Sequence, residues 1–166
     1  MNQTRITFTN DDGIELSAIL NLPEDEKPLA FAVFAHCFTC TKNIIAAANI
    51  ARALSRQRIG VLRFDFTGLG ESEGDFTDST FSQNLKDLVA AARYLEENYE
   101  AHKILVGHSL GGTAVLQAAS QIDSTTAVVT LGAPYHPRHT IKYFDMARDE
   151  IERMGKVQVS IAGREF

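Results

Sequence analysis

The chain has 166 residues, 45% of them hydrophobic, and a formal net charge of -5. That is enough apolar material for one packed core, so residues 1–166 are expected to form a single domain. The acidic balance leaves no basic footprint for nucleic acid or an anionic membrane, and no apolar run approaches the about 20 residues of a membrane-spanning helix. Met1-Asn2-Gln3-Thr4-Arg5 leads directly into strand-like sequence without the apolar core of a signal peptide, so a cytoplasmic location is expected.

In chain order, Arg5 to Thr9 alternates polar and apolar residues, and Asn10-Asp11-Asp12-Gly13 supplies turn chemistry. Ile14 to Leu22 resumes the β pattern, which completes an N-terminal hairpin. Leu29 to Ala35 is apolar throughout, as in a strand buried on both faces of a parallel sheet. Ile44, Ala47, Ala48, Ala51 and Leu54 share one face of a helix predicted over about 41–57. Ile59 to Phe66 is the next buried strand. Phe81, Leu85, Leu88, Val89, Ala92 and Leu95 mark a helix over about 79–98. A strand from Lys103, a helix from Ser109 to about Gln121 and a strand over Thr125–Leu131 follow. Ile141, Phe144, Ala147, Ile151 and Met154 then fall at helical spacing, with Gly155 as a stop. Val157, Val159 and Ile161 alternate with polar residues, and Gly163 to Phe166 reads as a hairpin turn whose second strand is absent. Alternating strands and helices define an α/β class: a doubly wound, mostly parallel sheet preceded by a β-hairpin.

The chemistry concentrates in Gly107-His108-Ser109-Leu110-Gly111-Gly112, a G-x-S-x-G between a strand and a helix. A serine hydroxyl becomes a useful nucleophile when a sharp turn holds it where a base can reach it. Gly107 and Gly111 lack a Cβ and let the arms of such a turn approach. The helix N-terminus aims the Leu110 N–H and its dipole at a developing oxyanion.

Three motifs together resemble the α/β-hydrolase superfamily. They are Ala35-His36-Cys37-Phe38-Thr39-Cys40, Arg63-Phe64-Asp65-Phe66-Thr67-Gly68-Leu69-Gly70-Glu71-Ser72, and the Ser109 segment. Within it they are most similar to serine hydrolases of aminopeptidase or acyl-esterase type. The H-C-F-T-C form is similar to the hydrolase half of bacterial fusions with an OsmC-like redox domain. The resemblance implies that Ser109 is the nucleophile of a nucleophile elbow, and that the Leu110 and Phe38 amides form the oxyanion hole. It gives His36 the role of shaping the oxyanion loop, and Asp65 that of capping backbone donors. It implies hydrolysis of an ester or peptide, with a small-molecule substrate.

Family members carry a triad acid and histidine after the nucleophile, beyond the sixth strand. This chain is therefore expected to be truncated on its C-terminal side, as a fragment, a shortened gene product or a divergent short form. His136 and His139, after the sixth strand, are the candidate substitute bases. Asp123 precedes that strand, at the wrong end of the sheet for a triad acid. Asp145 could orient His139 only in a non-family order.

Two other readings come from the same residues. One is a hydrolase remnant that binds a ligand or partner; it self-associates through the apolar Ala127–Leu131 edge or joins a redox partner. The other uses Cys37 and Cys40, a C-x-x-C after a strand and before a helix, for thiol redox chemistry. His36, Cys37 and Cys40 crowd one loop without a second ligand pair at zinc spacing, so neither metal nor cofactor is expected.

Overall fold

The computed structural model describes residues 2–24, 27–78, 80–100, 103–135, 148–155, 157, 160–161 and 164–165. The chain divides into two compact units, Met1–Ala133 and Pro134–Phe166.

The first unit is built on strands β1 (Asn2–Thr9), β2 (Glu15–Leu22), β3 (Ala30–Ala35), β4 (Ile59–Phe64), β5 (Ile104–His108) and β6 (Ala127–Leu131). They form one sheet in the order β1-β2-β4-β3-β5-β6. β1 and β2 are the expected antiparallel hairpin, in register from Asn2↔Leu22 to Thr9↔Glu15. β2 meets β4 antiparallel; β4, β3, β5 and β6 run parallel. The helices are α1 (Ile45–Arg56), α2 (Phe81–Asn98) and α3 (Leu110–Ala118), with a 3-10 turn over Phe76–Asp78.

β3 is apolar throughout because it is covered on both faces. Phe31, Val33 and Ala35 pack in one cluster with Leu88, Ala91 and Leu95 of α2 and Val115 of α3. Ala32 and Phe34 point the other way, to Ala47 and Ala51 of α1. This is the doubly wound arrangement read from the alternation. Each parallel strand ends at the same edge of the sheet, so the loops after β3, β4 and β5 converge there.

One helix face departs from its apolar pattern. Phe81 is 39% exposed, whereas Asn84 and Asp87 are buried. The buried face of α2 is turned toward these polar residues because Asp87 has partners from elsewhere in the chain. Its carboxylate accepts from the Thr67 N–H at 2.8 Å, the Thr67 hydroxyl at 3.0 Å and Asn10 Nδ2 at 2.8 Å. Thr80 caps the helix by accepting from the Gln83 N–H.

β6 ends the sheet. Its burial differs from that of β3: Val129 is 46% and Leu131 37% exposed. Among the described residues no helix is long and apolar enough to cross a membrane.

In the second unit, helix α4 spans Arg148–Met154, and Gly155 follows at φ 75°. Ile141, Phe144 and Ala147 of the predicted helix lie outside the described residues. The C-terminal expectation needs correction. Arg164–Glu165 is not a bare turn but a short strand, β8, antiparallel to β7 (Ser160–Ile161).

Candidate active site

Ser109 occupies the sharp turn between β5 and α3, with φ 52° and ψ -116°. A non-glycine residue there is strained, and the surroundings must hold it. The strand side does so through the Ser109 N–H, which donates to the Leu131 carbonyl of β6 at 2.8 Å. The helix side does so through the Ser109 carbonyl, which accepts from Gly112 at 2.9 Å and Thr113 at 3.2 Å. The Ser109 hydroxyl makes no capping bond to α3.

The flanking glycines permit this path by close approach. A Cβ on Gly107 would lie 2.3 Å from the Gly111 carbonyl oxygen. One on Gly111 would lie 2.3 Å from the Ala35 oxygen and 2.4 Å from the His36 oxygen. Gly111 therefore serves a second contact besides the turn itself, between the start of α3 and the loop after β3.

That loop carries Phe38. Ala35 of β3 is paired with Gly107 of β5, so His36–Phe38 and His108–Leu110 leave neighbouring strands side by side, about 4.8 Å apart at their roots. Leu110 opens α3, where the first amides lack intrahelical acceptors. The structure thus brings Ser109, Leu110 and the Phe38 loop to one place. Phe38 is 36% exposed, and its ring lies 5.4 Å from that of Phe76, tilted at 59°.

The Phe38 loop is anchored at both ends. Upstream, His36 is fully buried. Its Nε2 accepts from the Phe66 N–H at 3.3 Å, which leaves the ring proton on Nδ1 to be donated to the Cys37 carbonyl at 2.8 Å. His36 therefore supports the loop and has no lone pair to offer Ser109. Downstream, Lys42 is 1% exposed and Asp65 is fully buried. Asp65 accepts from the Lys42 N–H and Lys42 Nζ, both at 2.5 Å, and from the Glu71 N–H at 3.0 Å. Lys42 Nζ also meets Glu71 Oε2, and its ammonium lowers the Glu71 pKa. Arg63 donates to the Lys42 carbonyl and, at 3.0 Å, to Asn21 Oδ1; burial pushes its guanidinium pKa down.

Between these anchors Cys37 and Cys40 form a disulfide. The Cys40 N–H donates to the Cys37 carbonyl at 3.1 Å, and Thr39 sits at φ 61°. α1 begins only at Ile45. The cysteines therefore precede the helix rather than occupy its first turn, where a thiol-activating dipole would act.

Sequence reasoning passed over Lys42 and Asp87. Both look like solvated surface charges, and only their partners from distant segments reveal burial. The other expected residues divide as follows. Asp123 is exposed and precedes β6, whose first residue pairs with Ile104, at the end of β5 away from Ser109. His136, His139 and Asp145 lie outside the described residues.

A doubly wound sheet of this strand order, with a strained serine between β5 and α3, defines an α/β hydrolase. The serine aminopeptidase S33 family matches residues 26–162, and the chain belongs to it. The esterase domain of a Rhodothermus marinus protein superposes with a TM-score of 0.73 at 43% identity, over 99% of this chain and 64% of that one. A lidless serine hydrolase from Xanthomonas campestris shares the fold at TM-score 0.71 and 24% identity, over 81% of this chain and 62% of that one. Mouse mitochondrial palmitoyl-protein thioesterase ABHD10 is 35% identical over 95 residues, 51% of this chain and 31% of the relative. The chain thus spans about a third of that curated relative's length.

Proposed function

We propose that this chain is the nucleophile-bearing part of a serine hydrolase that transfers acyl groups from esters or thioesters to water. The strained Ser109 carries the reading. A serine forced to φ 52° between a strand and a helix, with glycines in contact behind it, is the geometry of a nucleophile elbow. The esterase and thioesterase relatives favour an acyl ester over a peptide.

In the proposed reaction, Ser109 Oγ attacks the acyl carbonyl carbon as its proton passes to a base. The Leu110 and Phe38 amides hold the resulting oxyanion. Collapse expels the alcohol or thiol, which takes the proton and leaves an acyl-serine ester. Water then repeats the attack and restores Ser109. His136 and His139 remain the proposed bases within this chain, and the exposed β6 edge the proposed self-association surface.

Labelling with a fluorophosphonate probe tests the reading. Labelling of the parent and none of Ser109→Ala supports an activated serine. A folded protein that does not label refutes it and leaves the non-catalytic binding role.

A further inference from the structure

We propose that Cys37 and Cys40 form a reversible redox site that sets the order of the oxyanion loop, so that the disulfide form is competent and the dithiol form is impaired. The proposal rests on the reading of the Phe38 amide as an oxyanion donor.

The loop is pinned by His36 on one side and by Lys42 on the other. The His36 bond reaches in only as far as the Cys37 carbonyl, and the Lys42 bonds stop at Lys42 itself. Phe38 and Thr39 are instead the two central residues of a turn closed by the Cys40 N–H bond to Cys37 and by the disulfide. Thr39 at φ 61° fills the position of such a turn that favours glycine. A β-branched residue in the left-handed region is an outlier that persists only where its surroundings impose it. The covalent ring is the local constraint that does so. Opening it lets Thr39 relax to negative φ, which rotates the peptide planes of the turn and the Phe38 N–H with them. Both cysteines are only partly buried, so a small thiol can reach them.

The step is a thiol–disulfide exchange. A donor dithiol attacks one sulfur as thiolate, breaks the Cys37–Cys40 bond and forms a mixed disulfide. Its second thiol resolves this, leaving two protein thiols and an oxidised donor, with two electrons and two protons transferred. In the proposed cytoplasmic setting, where persistent structural disulfides are rare and redox-sensing ones occur, such donors are present.

The test equilibrates the full chain in oxidised and in reduced dithiothreitol. Mass spectrometry after alkylation counts the thiols. NMR measures exchange of the Cys40 amide, and fluorophosphonate labelling follows Ser109. Closing so short a ring is worth on the order of tenfold in loop order. Cys40 exchange and Ser109 labelling should therefore change by about tenfold, slower exchange and faster labelling going with the disulfide. The Cys37→Ser/Cys40→Ser variant should behave like reduced parent in both buffers. Thr39→Gly, which needs no constraint to hold its φ, should shrink the difference to about threefold or less.

Two alkylated cysteines under oxidising conditions, or equal exchange in the two states, overturns the redox site. Altered exchange with equal labelling overturns its coupling to the oxyanion donor. A chain that labels in neither state fails as a hydrolase instead, and the exchange rates alone then decide the redox site.

Discussion

Replacing Lys42 by Met should be among the most damaging single changes in the first unit. The methionine keeps the length of the stem and the main-chain N–H to Asp65, and removes only the ammonium. Asp65 is fully buried and Lys42 1% exposed, so the lost partner is not replaced by bulk water. Stripping one member of a buried pair costs about 3–5 kcal/mol, because the other charge stays desolvated. Asp65 retains the Lys42 and Glu71 main-chain donors, which places the expectation at the low end, about 3 kcal/mol. At a urea slope of about 2 kcal/mol/M this shifts the unfolding midpoint down by roughly 1.5 M. Asp65→Asn should also destabilise, since an amide offers the main-chain donors one acceptor oxygen instead of two. The double variant Lys42→Met/Asp65→Asn no longer leaves a buried Asp65 carboxylate without its ammonium. It should be more stable than the sum of the two changes predicts, with a coupling of about 2 kcal/mol. A midpoint shift below about 0.3 M for Lys42→Met, or additivity within about 0.5 kcal/mol, would refute the view that this pair clamps the two loops.

Gly111→Ala should lower stability by about 1–3 kcal/mol through overpacking against the Ala35 and His36 carbonyls; a urea midpoint equal to that of the parent would contradict the close approach. Burial pushes the Asp87 carboxyl up, against the bonds from Thr67 and Asn10 that lower it. The folded chain therefore binds that proton more tightly than the unfolded one, and the group's contribution to stability falls as pH rises from its ordinary value of 3.8 through the raised one. Urea titrations across pH should show the parent losing ground to Asp87→Asn over that window, and parallel curves would overturn the assignment. Lys42 holds the Glu71 pKa down, so the sign reverses there. Its stabilisation is present above the ordinary glutamate range and lost as pH falls through the lowered value, and Glu71→Gln should remove that acid-side loss. Val129→Lys puts a charge on the exposed edge strand and should abolish concentration-dependent association in sedimentation velocity; a parent that is monomeric at every concentration would remove the proposed interface.

The strands and the serine turn were legible because each leaves a local signature. β3 reads as buried on both faces from its unbroken apolar run, and Gly107 and Gly111 flank Ser109 where a Cβ would clash with backbone. The charged interior had no such signature. Lys42 stands alone between a loop and a helix, and its partners Asp65 and Glu71 are 23 and 29 residues away. Asp87 follows Lys86 and looks like the solvent face of α2; its donor Asn10 is 77 residues distant. Apolar periodicity places helix faces by hydrophobicity alone, so it left out a face whose burial depends on polar satisfaction. The C-x-x-C spacing suggested a redox pair against a helix N-terminus. What the fold adds is the distance of the cysteines from α1 and the strained Thr39 between them.

The two halves of the candidate site rest on different physics, and this makes them separable. The Ser109 side is held by main-chain bonds to β6 and α3 and by glycine contacts, none of which carries charge. The Phe38 side is held by a neutral histidine, a buried ion pair and a disulfide. Changes in pH, charge or redox state should therefore act on the Phe38 loop while the serine turn stays as it is. Loss of activity from Lys42→Met or from disulfide reduction should come with an unaltered Ser109 backbone, whereas Gly111→Ala should disturb both sides, because that one contact joins them.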